Sequence, residues 1–189
     1  MSEGARRSAL EAVAVVETAS IARGFVVLDA IAKKAPVTVR RAAPVSPGKL
    51  VILFGGELEA TRESHQAALE VAGSGLVDEL LLPGAHPALL PAIDAAVVPA
   101  PGEAVGIVET ATVATAVHAA DVALKAVAVA VVRMHLAVGV GGKGWFTLAG
   151  ELADVDAALA AVKAAVREDR VVAIELIARP HGEIRGFLS

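Results

Sequence analysis

Ala12–Ala35, AVAVVETASIARGFVVLDAIAKKA, decides the fold because the chain contains this stretch twice. Laid over Ala104–Val127, AVGIVETATVATAVHAADVALKAV, at a constant offset of 92, it is identical at 9 of 24 positions. Ala and Val matches come cheaply in a chain that is 56% hydrophobic, but Glu17-Thr18 over Glu109-Thr110, Asp29 over Asp121 and Lys33 over Lys125 do not. Further on the offset becomes 94: Gly48-Lys49 meets Gly142-Lys143, and Gly56-Glu57-Leu58 meets Gly150-Glu151-Leu152. Two inserted residues account for the shift. Near each end, His86 after LLLPGA corresponds to His181 after LIARP. Self-similarity at a fixed spacing marks a tandem duplication. The first unit is expected at 9–97, a Pro/Gly-bearing linker (VPAPGE) at 98–103 and the second unit at 104–189.

Working outward from that stretch, Val13–Glu17 is a β-branched run that reads as a strand. Ser20 can cap a helix carrying Ile21, Phe25, Leu28 and Ala32 on one side. Val37–Val45 alternates as a strand, Ser46-Pro47-Gly48 turns, and Leu50–Phe54 returns as its hairpin partner. Gly55-Gly56 breaks that strand, Leu58–Ala72 is a second amphipathic helix closed by Gly73-Ser74-Gly75, and Leu76–Leu82 is the last strand. The second unit repeats the pattern over Val105–Glu109, Thr112–Val127, Val129–Val138, Gly144–Leu148, Leu152–Val166 and Val171–Ile177. The fold class is therefore α+β: two tandem ferredoxin-like β-α-β-β-α-β units, each two-layered and followed by a short tail.

Composition removes several function classes. The 189 residues suit one large domain or two small ones at roughly 100–200 residues each. With 3% aromatic residues, the core must be built from small aliphatics, and stacking platforms for bases are not expected. Net charge is −4 and the basic residues are scattered, so a nucleic-acid partner is not expected. Cysteine is absent, which removes disulfides, thiolate nucleophiles and Cys-ligated metal clusters. A membrane span is not expected either: Leu80–Ile93 holds three prolines, and the Ala126–Val132 run stops at Arg133. No signal peptide is read at the start, so the expected location is cytoplasmic.

Chemistry is sparse. Gly139–Gly144, GVGGKG, has the look of a phosphate loop, but such a loop runs from a strand into a helix, whereas WFTL follows here and reads as a strand. A Walker pattern would also need glycine where Ala137 stands, so a hairpin turn is the expected structure. His65, His86, His118, His135 and His181 form no i,i+4 pair, and no nucleophile elbow or paired-carboxylate site is present. Asp154 and Asp156 fall in the first turn of a helix, where acids favour the macrodipole. No metal, cofactor or enzymatic activity is therefore expected. Asp29/Lys33 and Asp121/Lys125 are i,i+4 pairs late in the first helix of each unit. Two readings stay open for them: intrahelical ion pairs, or lysines poised by their aspartates to reach a neighbouring oligomer.

With these residues the chain resembles the bacterial microcompartment shell proteins, and its duplication resembles their tandem-domain, trimer-forming subfamily in its single-layer, non-permuted form. The resemblance is carried by AVVET and GIVET, the Asp-x-x-x-Lys helix endings, the glycine-bearing hairpin turns, the Gly-Glu-Leu that follows, and IARPHGEI at Ile177–Ile184. It implies a homotrimer that forms a flat pseudohexamer within a cytoplasmic shell, beside hexameric and pentameric tiles, with small metabolites crossing a central pore. The implied pore-lining residues are Ser46, Pro47, Gly48, Val140, Gly141 and Gly142, and Lys49 and Lys143 would raise the potential there if they face the channel. The implied tile-edge residues are Asp29, Lys33, Asp121, Lys125, Arg179 and His181; the first unit has Pro83-Gly84-Ala85-His86 where the second has its arginine. A different class, a duplicated ferredoxin-like small-molecule sensor using the Gly139–Gly144 turn, is the alternative.

Overall fold

In the computed structural model of the protein, residues 11–94 and 102–188 are described. Most of the expected linker, 98–101, and the first residues of the expected first unit therefore lie outside the described residues. The chain divides into two compact units, Met1–Ala85 and His86–Ser189.

The first unit contains β1 (Ala12–Thr18), α1 (Ile21–Lys34), β2 (Thr38–Val45), β3 (Lys49–Gly56), α2 (Leu58–Ala72) and β4 (Leu76–Pro83). Its sheet runs β2-β3-β1-β4 with every neighbour antiparallel. Ser20 caps α1 by accepting from the Arg23 N–H, as its sequence position predicts. Both helices pack on one face of the sheet, enclosing Ala14, Val16, Val27, Ile31, Leu50, Ile52, Phe54, Ala68 and Ala72. Alternation then puts Glu17 and Lys49 on the opposite face.

The second unit repeats the order with β5 (Ala104–Thr110), α4 (Val113–Ala126), β6 (Ala130–Leu136), β7 (Gly144–Gly150), α5 (Leu152–Ala165) and β8 (Val171–Ala178). Its sheet order, β6-β7-β5-β8, is the same, and so are the irregularities. The β2–β3 ladder slips between Val39 and Arg41, and the β6–β7 ladder slips between Val131 and Arg133. The first and last strands slip at Glu17/Thr18 in one unit and at Glu109/Thr110 in the other. Bulges are designed features of a fold, so the duplication reaches below the level of element order.

The short tails are helices. α3 (Leu89–Ile93) buries Leu89, Ala92 and Ile93 and packs on β6 and α4, which groups it with the second unit, whereas the sequence reading keeps it with the first. α6 (Gly182–Leu188) follows β8 at the corresponding place. Among the described residues, no helix is long and apolar enough to cross a membrane.

Candidate functional site

Two places in each unit carry the residues singled out above: the turn between the hairpin strands, and the end of the first helix with the segment after the last strand.

In the first unit, Ser46-Pro47-Gly48 is the tight turn joining β2 to β3; the Ser46–Pro47 peptide is cis and Gly48 sits at φ +115°. The Gly48 N–H donates back to the Val45 carbonyl at 2.9 Å. Lys49 leaves the turn and its Nζ lies 2.7 Å from Glu17 Oε2, with side-chain exposures of 12% and 0% respectively. In the second unit the turn is longer. Ala137, Gly139, Gly141 and Gly142 all have positive φ, a run that glycine tolerates and other residues resist. β7 follows, so the loop is a hairpin turn and not the entry to a helix. Lys143 Nζ again meets the glutamate of the first strand, Glu109 Oε1, at 2.7 Å, with exposures of 45% and 33%. The two lysines, expected to raise the potential at the turns if they face the channel, are thus found with carboxylate partners. Each is paired with the glutamate of its own unit, a partnership that the repeated Glu-Thr and Gly-Lys dipeptides contained without showing which residues meet.

At the helix ends, Lys33 Nζ lies 2.6 Å from Asp29 Oδ2 and both are exposed. Lys125 Nζ lies 2.6 Å from Asp121 Oδ2, where the aspartate is buried and also accepts from the His86 N–H at 2.7 Å. Asp121 thus ties the segment before α3 to α4, a role absent from the sequence reading. Arg179 follows β8 at φ +50°, the position where the first unit has Gly84 at φ +63°. Glu103 holds it twice: the Glu103 carbonyl accepts the Arg179 N–H at 2.7 Å, and Glu103 Oε1 accepts from Arg179 Nε at 3.2 Å. A left-handed non-glycine residue costs on the order of 1–3 kcal/mol unless its surroundings hold it, and Glu103 does so. His181 and His86 play matching parts. The Nδ1 of each accepts a backbone N–H two residues on, from Glu183 at 3.4 Å and from Ala88 at 3.2 Å, at the start of α6 and α3. Within the second unit Lys125, Arg179 and His181 each have a partner: Asp121, Glu103 and the Glu183 N–H.

Sequence reasoning missed one pair, a buried histidine against an exposed glutamate. His65 on α2 lies with its Nε2 2.8 Å from Glu79 Oε2 on β4, an ion-pair distance whose angle falls short of a hydrogen bond. Burial lowers the His65 pKa below its ordinary 6.5, and the Glu79 carboxylate opposes that shift. A histidine on the apolar face of a helix and a glutamate inside the LVDELLL strand were the available signals.

Comparison with known proteins fits this geometry. The family model described as the BMC domain matches residues 12–85 and again residues 104–180. The chain is 38% identical over 172 residues to the bacterial microcompartment shell protein PduT of Citrobacter freundii, covering 90% of this chain and 94% of that protein. The crystal structure of a microcompartment protein from Desulfitobacterium hafniense superposes with a TM-score of 0.83 at 36% identity, covering 94% of this chain and 99% of the other. A fused permuted hexameric shell protein of the RMM microcompartment shares the fold at a TM-score of 0.61 and 24% identity, covering 82% of this chain and 80% of that one.

Proposed function

The chain belongs through both of its halves to the family of bacterial microcompartment shell proteins, and from that premise we propose that three copies close into a single-layer, pseudohexameric tile. Its role is structural, that of a shell component, and the sensor alternative is set aside because the relatives are shell proteins. The observation that supports closure is a mismatch between equivalent helix faces. On α4, Val113 and Val117 are fully buried in the single chain; at the equivalent positions on α1, Ile21 is 36% and Phe25 53% exposed, and the neighbouring Val26 is also 53% exposed. The second unit meanwhile leaves Leu152, Val172 and Leu176 exposed along α5 and the edge strand β8. One apolar face on the first unit and an unlike one on the second make a heterologous, head-to-tail interface, which gives a ring when the rotation closes. Six homologous units reach closure with three chains.

In that ring the turns Ser46-Pro47-Gly48 and Val140-Gly141-Gly142 alternate around a pore that passes small metabolites. Asp29/Lys33, Asp121/Lys125, Arg179 and His181 lie at the edges that meet other tiles of a cytoplasmic shell. The proposed role is that of tile and conduit, not of catalyst. Phe25→Asp tests it: a charge in the closing interface should disperse the trimer into monomers while the circular dichroism stays that of the folded chain, since Phe25 is not part of the unit's own core. A Phe25→Asp variant that keeps the trimer would overturn this assignment of the interface.

A further inference from the structure

Neither turn assigned to the pore carries charge of its own, since Ser46, Pro47, Gly48, Val140, Gly141 and Gly142 are all neutral, so the field there is set by the groups that flank them. In each unit these are the lysine that ends the turn and the glutamate of the neighbouring strand, 2.7 Å apart. The two pairs differ in how tightly they are held. Glu17 is fully buried and Lys49 nearly so, and separating a buried ion pair is costly. Lys143 and Glu109 are both reached by water, which screens their attraction and lets either side chain move. His135 also stands beside the second turn, its ring Nε2 2.6 Å from the Val138 carbonyl.

We propose that Glu109 determines the charge selectivity of the pore: by holding Lys143 it keeps the second turn from presenting a ring of free ammonium groups, so that neutral polar solutes are not disfavoured against anions of the same size. The proposal rests on the reading that Val140–Gly142 lines the pore. It makes the duplication functional, because only the second unit keeps its pair within reach of a passing solute. Removal of the carboxylate releases one cation per chain. Removal of Lys143 instead leaves one anion per chain.

The test is the reversal potential across planar lipid bilayers containing the purified trimer, under a potassium chloride gradient at pH 8. Wild type should discriminate little between chloride and potassium. Glu109→Gln should shift the permeability ratio several-fold toward chloride, Lys143→Gln should shift it toward potassium, and the double variant should return close to wild type. Val140→Trp, which places the bulk at a residue without the positive φ that strains a substitution at Gly141, serves as the pore control and should lower conductance in every background. If Val140→Trp lowers conductance while both charge variants keep the wild-type ratio, the proposal fails and the pore reading stands. If Val140→Trp leaves conductance unchanged, the pore reading falls and the proposal with it. Circular dichroism and light scattering on each variant confirm that a folded trimer is being recorded, and should Glu109→Gln not fold, the opposite shift with Lys143→Gln decides alone.

Discussion

The two units reach the same closest approach between first helix and sheet by opposite choices. In the first, Gly24 on α1 faces Leu50 on β3, and a Cβ added at Gly24 would stand 2.5 Å from the Leu50 Cβ. In the second, the equivalent helix position is Ala116 and the equivalent strand position is Gly144, where an added Cβ would stand 2.5 Å from the Ala116 Cβ. The glycine has changed sides while the backbone separation has been kept. The large core side chains show a related exchange: Ile52 and Phe54 in one unit answer to Phe146 and Leu148 in the other, all fully buried. Total volume and the buried pattern are preserved, which is what cores require. A third pairwise change is polar. His65 and Glu79 in the first unit correspond to Leu159 and Ile174 in the second, so a titratable pair, its histidine buried and its glutamate exposed, stands where its sister unit has hydrocarbon. Divergence after duplication has run in contacting pairs while the strand order and the bulges were conserved.

The largest expected effect separates the two lysine–glutamate pairs. Lys49→Met removes the lysine held against a fully buried carboxylate and should destabilise the first unit by more than the matching change in the second. Lys143→Met, at a pair open to water, should cost less than about 1 kcal/mol. Urea unfolding followed by circular dichroism measures both, and equal losses would break the contrast between a sealed and an open pair.

Next comes the glycine exchange. Gly24→Ala alone should cost about 1–3 kcal/mol by overpacking against Leu50. Leu50→Gly alone opens a cavity. Together they copy the second unit's solution, so the double variant should lose less than the sum of the singles, by about 0.5–3 kcal/mol of coupling. Strict additivity would show that the backbone, not the pair, absorbs the contact.

A smaller effect is pH-dependent. The folded His65 pKa lies below the unfolded value of 6.5, so the unfolded chain binds the proton more readily. Stability is complete above pH 6.5 and declines as the pH falls from there toward the folded pKa. The double variant His65→Leu/Glu79→Ile, which restores the second unit's residues, should flatten this part of the stability–pH curve. A curve that keeps its slope would place the acid sensitivity elsewhere.

The smallest effect on stability is expected at the helix ends. Lys33→Ala removes an exposed i,i+4 pair worth a few tenths of a kcal/mol (about 0.2–0.5). If Lys33 and Lys125 reach neighbouring tiles, Lys33→Ala/Lys125→Ala should abolish extended sheets in electron micrographs while the trimer persists. Sheets that form as before would return both lysines to the intrahelical reading.

Much of this architecture was legible in the residues. The repeat of AVVETA as GIVETA, with Asp29/Asp121 and Lys33/Lys125 at matched spacing, pointed to each unit's element order, and the strand pattern after GVGGKG favoured a hairpin turn over a phosphate loop. Side-chain pairing across the sheet was not legible, because Glu17 and Lys49 are 32 residues apart and meet only once β1 and β3 are in register. The bulges leave no residue signature of their own. The exchange of Gly24/Leu50 for Ala116/Gly144 was visible in the aligned repeats but has meaning only where the two positions touch. α3 and α6 escaped notice because their five and seven residues are too short for helical periodicity to register.

Multi-angle light scattering of the wild-type chain at micromolar concentration bears most directly on the central claim, that the unlike apolar faces of the two units close a ring of three. The mass should be about 57 kDa, three times the 19.0 kDa of one chain, and independent of concentration over the range measured. A stable species at the mass of one chain or two would contradict the account.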